Sequence, residues 1–227
     1  MNNKRILFLI VFIILSLIAF QIPISKIMGS DQNFTIFELI APLGGMFLGP
    51  IFGALSAFIV RGANVIINHQ ALDFLTIMRF LPMMLAAVYF GTKGKKMAIV
   101  FLVCIILFLI HPIGQKAWAY PLIWLIPFAA TFLKKRLILN SLGATFTAHA
   151  IGSVIFLYAF GLTPQIWLSL IPVVFIERGF FTIGIWASYL VINTVLDKII
   201  ETREINILKP LVNKNYLISL KFLKSFA

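Results

Sequence analysis

Residues 42–64 read PLGGMFLGPIFGALSAFIVRGAN. Gly45, Gly49, Gly53 and Ala57 recur at every fourth position, so on a helix they form one smooth face. Such faces let transmembrane helices approach backbone to backbone, which is how packing is gained where lipid removes the hydrophobic drive. Gly49-Pro50 interrupts the face and marks a tight turn, because proline favours the first helical position and glycine the residue outside it. Arg61 and Asn64 then stand inside an otherwise apolar run.

Composition sets the class. The chain has 227 residues, 61% of them hydrophobic and only 11% charged, with a mean hydropathy of +1.05. These values describe an all-α polytopic membrane protein, a bundle of six to eight transmembrane helices in a cell membrane, prokaryotic plasma membrane by expectation. A net charge of +12 raises the question of nucleic acid. The placement of the basic residues argues for lipid instead, since they flank apolar spans in short loops and in the C-terminal tail. Cys104 is the single cysteine and lies mid-span, which leaves disulfides and thiolate metal clusters without support. Lys4-Arg5 followed by an apolar run, with no A-x-A site after it, reads as a retained first helix.

Eight apolar segments are expected, at 6–22, 34–48, 50–68, 73–90, 97–113, 117–133, 138–160 and 166–196. The last is too long for one straight span, so residues 164–169 are expected to lie along the interface and the helix proper to begin near Pro172. Counted as eight spans with both termini cytoplasmic, 14 of the 19 basic residues fall inside and only Lys26 and Lys116 outside. Treating 34–68 as a single span would move Lys93, Lys95 and Lys96, and Lys134, Lys135 and Arg136, to the outside. The domain plan is a bundle over residues 1–204 and a basic amphipathic cytoplasmic tail over 205–227 on the inner leaflet.

The intramembrane polar residues collect on one side of this topology. Glu38, Arg61, Asn64, Asn68, His69, Asp73, Arg79, His111, Gln115, Lys116, Glu177 and Arg178 all fall toward the outer half, and His149 nearer the middle. Charge at membrane depth costs several kcal/mol unless paired or hydrated, and is functional by default. A cluster confined to the outer half describes an outward pocket rather than a proton or ion pathway, which would continue to the other side. Glu38, Arg61, Asn64, Arg79, His149, Glu177 and Arg178 are the candidate substrate-binding residues. Arginine forks suit a carboxylate or phosphate, hence an anionic small molecule. The competing reading pairs the arginines with Glu38, Asp73 and Glu177. Glu177 and Arg178 are adjacent on a helix and are expected to point in different directions. Trp118, Tyr120, Trp124 and Trp167 read as interfacial anchors, with stacking on an aromatic ligand as the alternative. The three histidines lack ligand spacing, so no metal or cofactor is expected.

The pattern Pro42-x-x-Gly45-x-x-x-Gly49-Pro50-x-x-Gly53-Ala54, with His149-x-x-Gly152, Ile171-Pro172 and Glu177-Arg178 further on, resembles the substrate-binding membrane subunit (S component) of energy-coupling factor transporters. The likeness covers roughly residues 35–65 and, more loosely, 140–196. It implies high-affinity capture of a vitamin or other micronutrient from outside, no catalysis by the chain itself, and docking on a transmembrane coupling subunit driven by two cytoplasmic ATPases. The chain departs from that family in reading as up to eight helices rather than six. It also lacks the A-x-x-x-A pair of the first helix, where Ser16 and Ala19 stand instead.

Two other functions compete. An intramembrane lipid-modifying enzyme would need a nucleophile with its base, and neither G-x-S-x-G nor H-E-x-x-H occurs. A non-transporting scaffold would use the buried charges only to fix packing. No Walker sequence is present, so ATP hydrolysis belongs to partners.

Overall fold

The computed structural model describes residues 3–26, 33–92, 95–133 and 136–218. Lys93, Lys134, Lys135 and the tail beyond Ile218 lie outside them. Among the described residues the elements are helices and short 3-10 turns joined by loops, together with one small hairpin. In order come α1 (Asn3–Phe20), β1 (Pro23–Lys26), β2 (Asn33–Thr35), α2 (Phe37–Ile40), α3 (Leu43–Leu48), α4 (Pro50–Ile67), α5 (Phe74–Met78), α6 (Leu81–Gly91), α7 (Ala98–Ile110), α8 (Pro112–Lys116), α9 (Leu125–Thr131), α10 (Leu137–Ala159) and α11 (Pro164–Thr202). Helix therefore occupies every one of the eight apolar segments. Among the described residues four stretches are long and apolar enough to cross a membrane: Pro50–Ile67, Phe74–Gly91, Leu137–Ala159 and Pro164–Thr202. Arg5–Phe20, Phe37–Leu48 and Tyr120–Thr131 are apolar but shorter. Large apolar side chains such as Leu7, Ile51, Ile66, Ile176 and Ile183 stand on the outer surface, where a soluble protein would put charge.

α6 and α10 form the centre. α4 packs on α6, α11 on α10, and α1 closes over α4 and α2. The glycine stretch explains the tightest of these contacts, though not as one continuous helix face. Gly49 has φ 87° and ψ 164°, a conformation open almost only to glycine. It folds α3 back on α4, with Pro50 at the first position of α4. Gly45 and Gly53 then meet across the hairpin: a Cβ on Gly53 would strike the Gly44–Gly45 backbone, and one on Gly45 would strike the Ala87 carbonyl of α6. Gly91 closes the contact from the other side against Gly45. Three backbones thus touch at one point, for which side chains leave no room.

Three expectations change. β1 and β2 pair antiparallel, Lys26 opposite Asn33 and Ser25 opposite Phe34, between the first two expected apolar segments and into the start of the second, where no strand was expected. The long last segment does not break at Pro172, which lies inside a continuous helix of 39 residues. At about 1.5 Å per residue that helix is about 58 Å long, nearly twice a bilayer core of about 30 Å, so its ends extend past the apolar layer. The described part of the tail is not an amphipathic helix. It forms two short 3-10 turns, Asn206–Leu211 and Lys214–Tyr216, held against the end of α11. Asn193 donates to the carbonyls of Asn213 and Tyr216, and Lys214 Nζ bridges Asp197 and Glu201 at 2.6 and 3.0 Å. Those two carboxylates hold the Lys214 ammonium above its ordinary pKa.

Candidate functional site

The hairpin at Gly49 has a consequence at its far end. Glu38 stands eleven residues before Gly49 and Arg61 twelve after it, so folding at the glycine brings the two side by side. Arg61 Nη2 lies 3.9 Å from Glu38 Oε1. The other carboxylate oxygen of Glu38 accepts from the Thr35 backbone N–H at 2.6 Å and the Thr35 hydroxyl at 2.8 Å. β2 therefore aims Glu38, and Glu38 in turn holds Arg61, whose guanidinium also rests 4.9 Å over the Phe20 ring. One helical turn on, the Asn64 side-chain oxygen Oδ1 accepts from the Gln21 amide at 3.0 Å and the Asn68 amide at 2.9 Å. The end of α1 is tied to the end of α4 in this way.

On the opposite wall α11 carries Glu177 and Arg178. They do not diverge as adjacent helix positions suggest, because the Glu177 side chain turns to meet its neighbour, Arg178 Nη2 to Glu177 Oε2 at 3.3 Å. Arg178 is only 3% exposed. It donates to the Thr145 hydroxyl of α10 at 3.2 Å and is stacked by Phe34 and Phe181, with its guanidinium carbon 5.0 and 4.6 Å from their centroids. Phe34 belongs to β2, so the small hairpin touches both arginine sites.

His149, on α10, is held by three neighbours. The Trp124 indole donates to Nδ1 at 3.2 Å, while the Tyr120 hydroxyl lies 3.1 Å and the Ser153 hydroxyl 3.4 Å from Nε2. An indole N–H can only donate, so Nδ1 carries the lone pair and the neutral ring bears its proton on Nε2. Tyr120, Trp124 and Trp167 are 2% exposed or less and surround Phe108 at centroid distances of 5.2 to 5.6 Å. The anchor reading fails for these three, because burial in an aromatic core outweighs any preference for the headgroup layer. Trp118, 61% exposed, keeps the exposure that an anchor needs.

Arg79 differs from the other two arginines. Among the described residues it makes no hydrogen bond and no ion pair. Asp73, its expected partner, forms no direct ion pair with it; its carboxylate caps α5 by accepting the Thr76 N–H at 2.7 Å and attracts the Arg79 guanidinium only at longer range.

One cavity of about 480 Å³ collects these groups, and all seven candidates line it: Glu38, Arg61, Asn64, Arg79, His149, Glu177 and Arg178. The volume lies within the usual range for small-molecule sites. Asp73, His69, His111, Gln115 and Lys116 are not among its lining residues. His69 is exposed and His111 packs on the Tyr158 ring. The cavity also takes Phe34 and Thr35, which were not read as site residues, and Tyr120 and Trp167, for which ligand stacking was only the alternative to an anchor. The i, i+4 spacing of Tyr120 and Trp124 is the sequence signal for a shared inward face; nothing comparable marks Phe34 or Trp167.

The chain is 25% identical over 205 residues to an uncharacterized protein of Methanocaldococcus jannaschii, a match covering 80% of this chain and 69% of that protein. No protein-family model matches the chain, and no solved structure matches it significantly.

Proposed function

We propose that this protein is the membrane subunit of an uptake transporter, one that captures a small molecule in a polar cavity facing outward and depends on partner proteins for energy. The observation that carries the reading is the convergence of seven polar residues on one vitamin-sized cavity. They come from positions 38 to 178 and sit among helices that are otherwise apolar. Most of them have partners within the chain, yet a cavity of about 480 Å³ stays open between them, which packing alone would close. In this reading the eight helical segments place both termini in the cytoplasm, and the basic loops follow the positive-inside bias. The Gly49 turn then faces the cytoplasm and the cavity the outside. The resemblance to S components supports the same assignment and supplies the partners, a transmembrane coupling subunit and cytoplasmic ATPases.

The tautomer of His149 weighs against the enzyme reading. With its proton on Nε2, the ring cannot accept one there from Ser153 or Tyr120, so the nearest hydroxyls gain no base. The test is uptake of labelled micronutrients into cells carrying the wild-type chain or the Arg61→Ala, Arg79→Ala double variant. One compound should enter with the wild type and lose that uptake in the variant. Unchanged uptake of every compound would end the transport reading.

A further inference from the structure

Two independent features of the cavity wall describe what it lacks. The first is charge. Among the described residues the wall holds Arg61, Arg79 and Arg178 against Glu38 and Glu177. Arg61 is paired with Glu38 and Arg178 with Glu177. Arg79 has no ion-pair partner on the wall: the Asp73 carboxylate, outside the lining, attracts it only at longer range, and Arg61 repels it. A guanidinium without a direct ion pair, in a largely apolar bundle, is costly until an anion arrives. The second feature is hydrogen bonding. Four buried polar atoms on the wall have no partner: Nε of Arg61, Nε of Arg79, Nε of Arg178 and Nε1 of Trp167. All four are donors and none is an acceptor. Trp167 and Arg178 are 2% and 3% exposed, so bulk water does not readily serve them. A wall with surplus positive charge and only unmet donors is complementary to a molecule rich in acceptors and negatively charged.

We propose that the cavity takes a small organic anion whose carboxylate or phosphate sits on Arg79 beside Arg61, with acceptor atoms elsewhere on the molecule meeting the unmet donors of Trp167 and Arg178. This rests on the capture reading and narrows it to a ligand class. The acid group supplies the direct counter-ion that Arg79 lacks on the described wall, and a guanidinium fork matches a planar carboxylate or a phosphate with two parallel hydrogen bonds. Glu38 and Glu177 then serve as fixed internal counter-ions. They hold Arg61 and Arg178 in place and repel a ligand bearing additional acid groups on their side.

The test uses the full-length protein in detergent and the small-molecule filtrate of a cell extract, split on an anion-exchange resin into anionic and flow-through fractions. Thermal unfolding is followed with each fraction, and retained compounds are identified by mass spectrometry after desalting. The anionic fraction should raise the melting temperature, and the flow-through should not. Treating the anionic fraction with phosphatase separates the two sources: loss of the effect assigns a phosphate, and its persistence a carboxylate. Arg79→Gln should unfold close to the wild-type temperature without ligand, since it breaks no hydrogen bond and no direct ion pair, and bind the retained compound about ten- to a hundredfold more weakly. Arg79→Lys, which keeps the charge, should recover part of the loss. Stabilisation by the flow-through alone, or equal binding by Arg79→Gln, overturns the anion assignment while leaving capture standing. No stabilisation and no retained compound from either fraction overturns capture and the anion assignment together.

Discussion

Gly49 and Glu38 are the residues on which the site's geometry turns. Gly49 alone holds a positive φ among the described glycines, and with ψ 164° it occupies a region that a Cβ disfavours by about 1–3 kcal/mol. Gly49→Ala should therefore lower the melting temperature in detergent although no atom lies within 4 Å of the new methyl. Gly152→Ala, equally open but without the positive φ, should not. Glu38→Ala removes the counter-charge of Arg61 and the acceptor of Thr35 at once. It should cost about 1–3 kcal/mol, read as an earlier unfolding transition, and Thr35→Val should reproduce part of it. The pairing of Glu38 with Arg61 was legible as one of the alternatives in the sequence. Their near-equal spacing about a Gly-Pro turn makes them neighbours whatever the rest of the fold does. The burial of Trp167 was not legible. An aromatic residue early in a long apolar segment reads as an anchor until packing against Phe108 and Tyr120 is known.

At the scale of elements, the three-way contact of α3, α4 and α6 is the device that sets the hairpin. Gly53→Val would push α4 off α3, because the carbon would enter backbone rather than a flexible side chain. Overpacking of this kind costs about 1–3 kcal/mol, and the variant should show both a lower melting temperature and weaker ligand retention, since Arg61 rides on α4. Periodicity and the Gly49-Pro50 turn pointed to close packing here before any coordinates, without showing that Gly45 and Gly53 meet across the turn. The fourfold glycine spacing has the same form whether the glycines lie on one helix or on two joined at Gly49. The β-hairpin was hidden for a different reason: strands of four and three residues are too short to show alternation. The tail makes a pH-dependent contact. Lys214 has a raised pKa in the folded chain, so its bonds to Asp197 and Glu201 are fully present below the ordinary lysine pKa and are lost as pH rises through the raised value. Limited proteolysis within 206–218 should quicken over that alkaline range, and Asp197→Asn should show the faster cleavage already at neutral pH.

For the whole molecule the question is which face of the membrane the cavity opens to. Cys104 is buried, so a cysteine placed on the surface reports alone. Gln70 is exposed and lines the cavity, and Lys96 is exposed on the connection before α7. A membrane-impermeant maleimide should label Gln70→Cys in intact cells and Lys96→Cys only after lysis. The reverse pattern would turn the cavity to the cytoplasm. Helix content and the clustering of buried charge were both readable from the sequence, because apolar length and intramembrane polarity are local properties. The joining of Arg178 to Phe34, and of His149 to Trp124, depends on how distant helices pack, and no local pattern carries it. The most direct measurement on the central claim is mass spectrometry of small molecules released when the protein, purified from native-like membranes, is denatured. The account predicts one small molecule close to stoichiometric with the wild-type chain and absent from the Arg61→Ala, Arg79→Ala variant. A wild-type chain that releases nothing, or a variant that releases the same compound in the same amount, would contradict it.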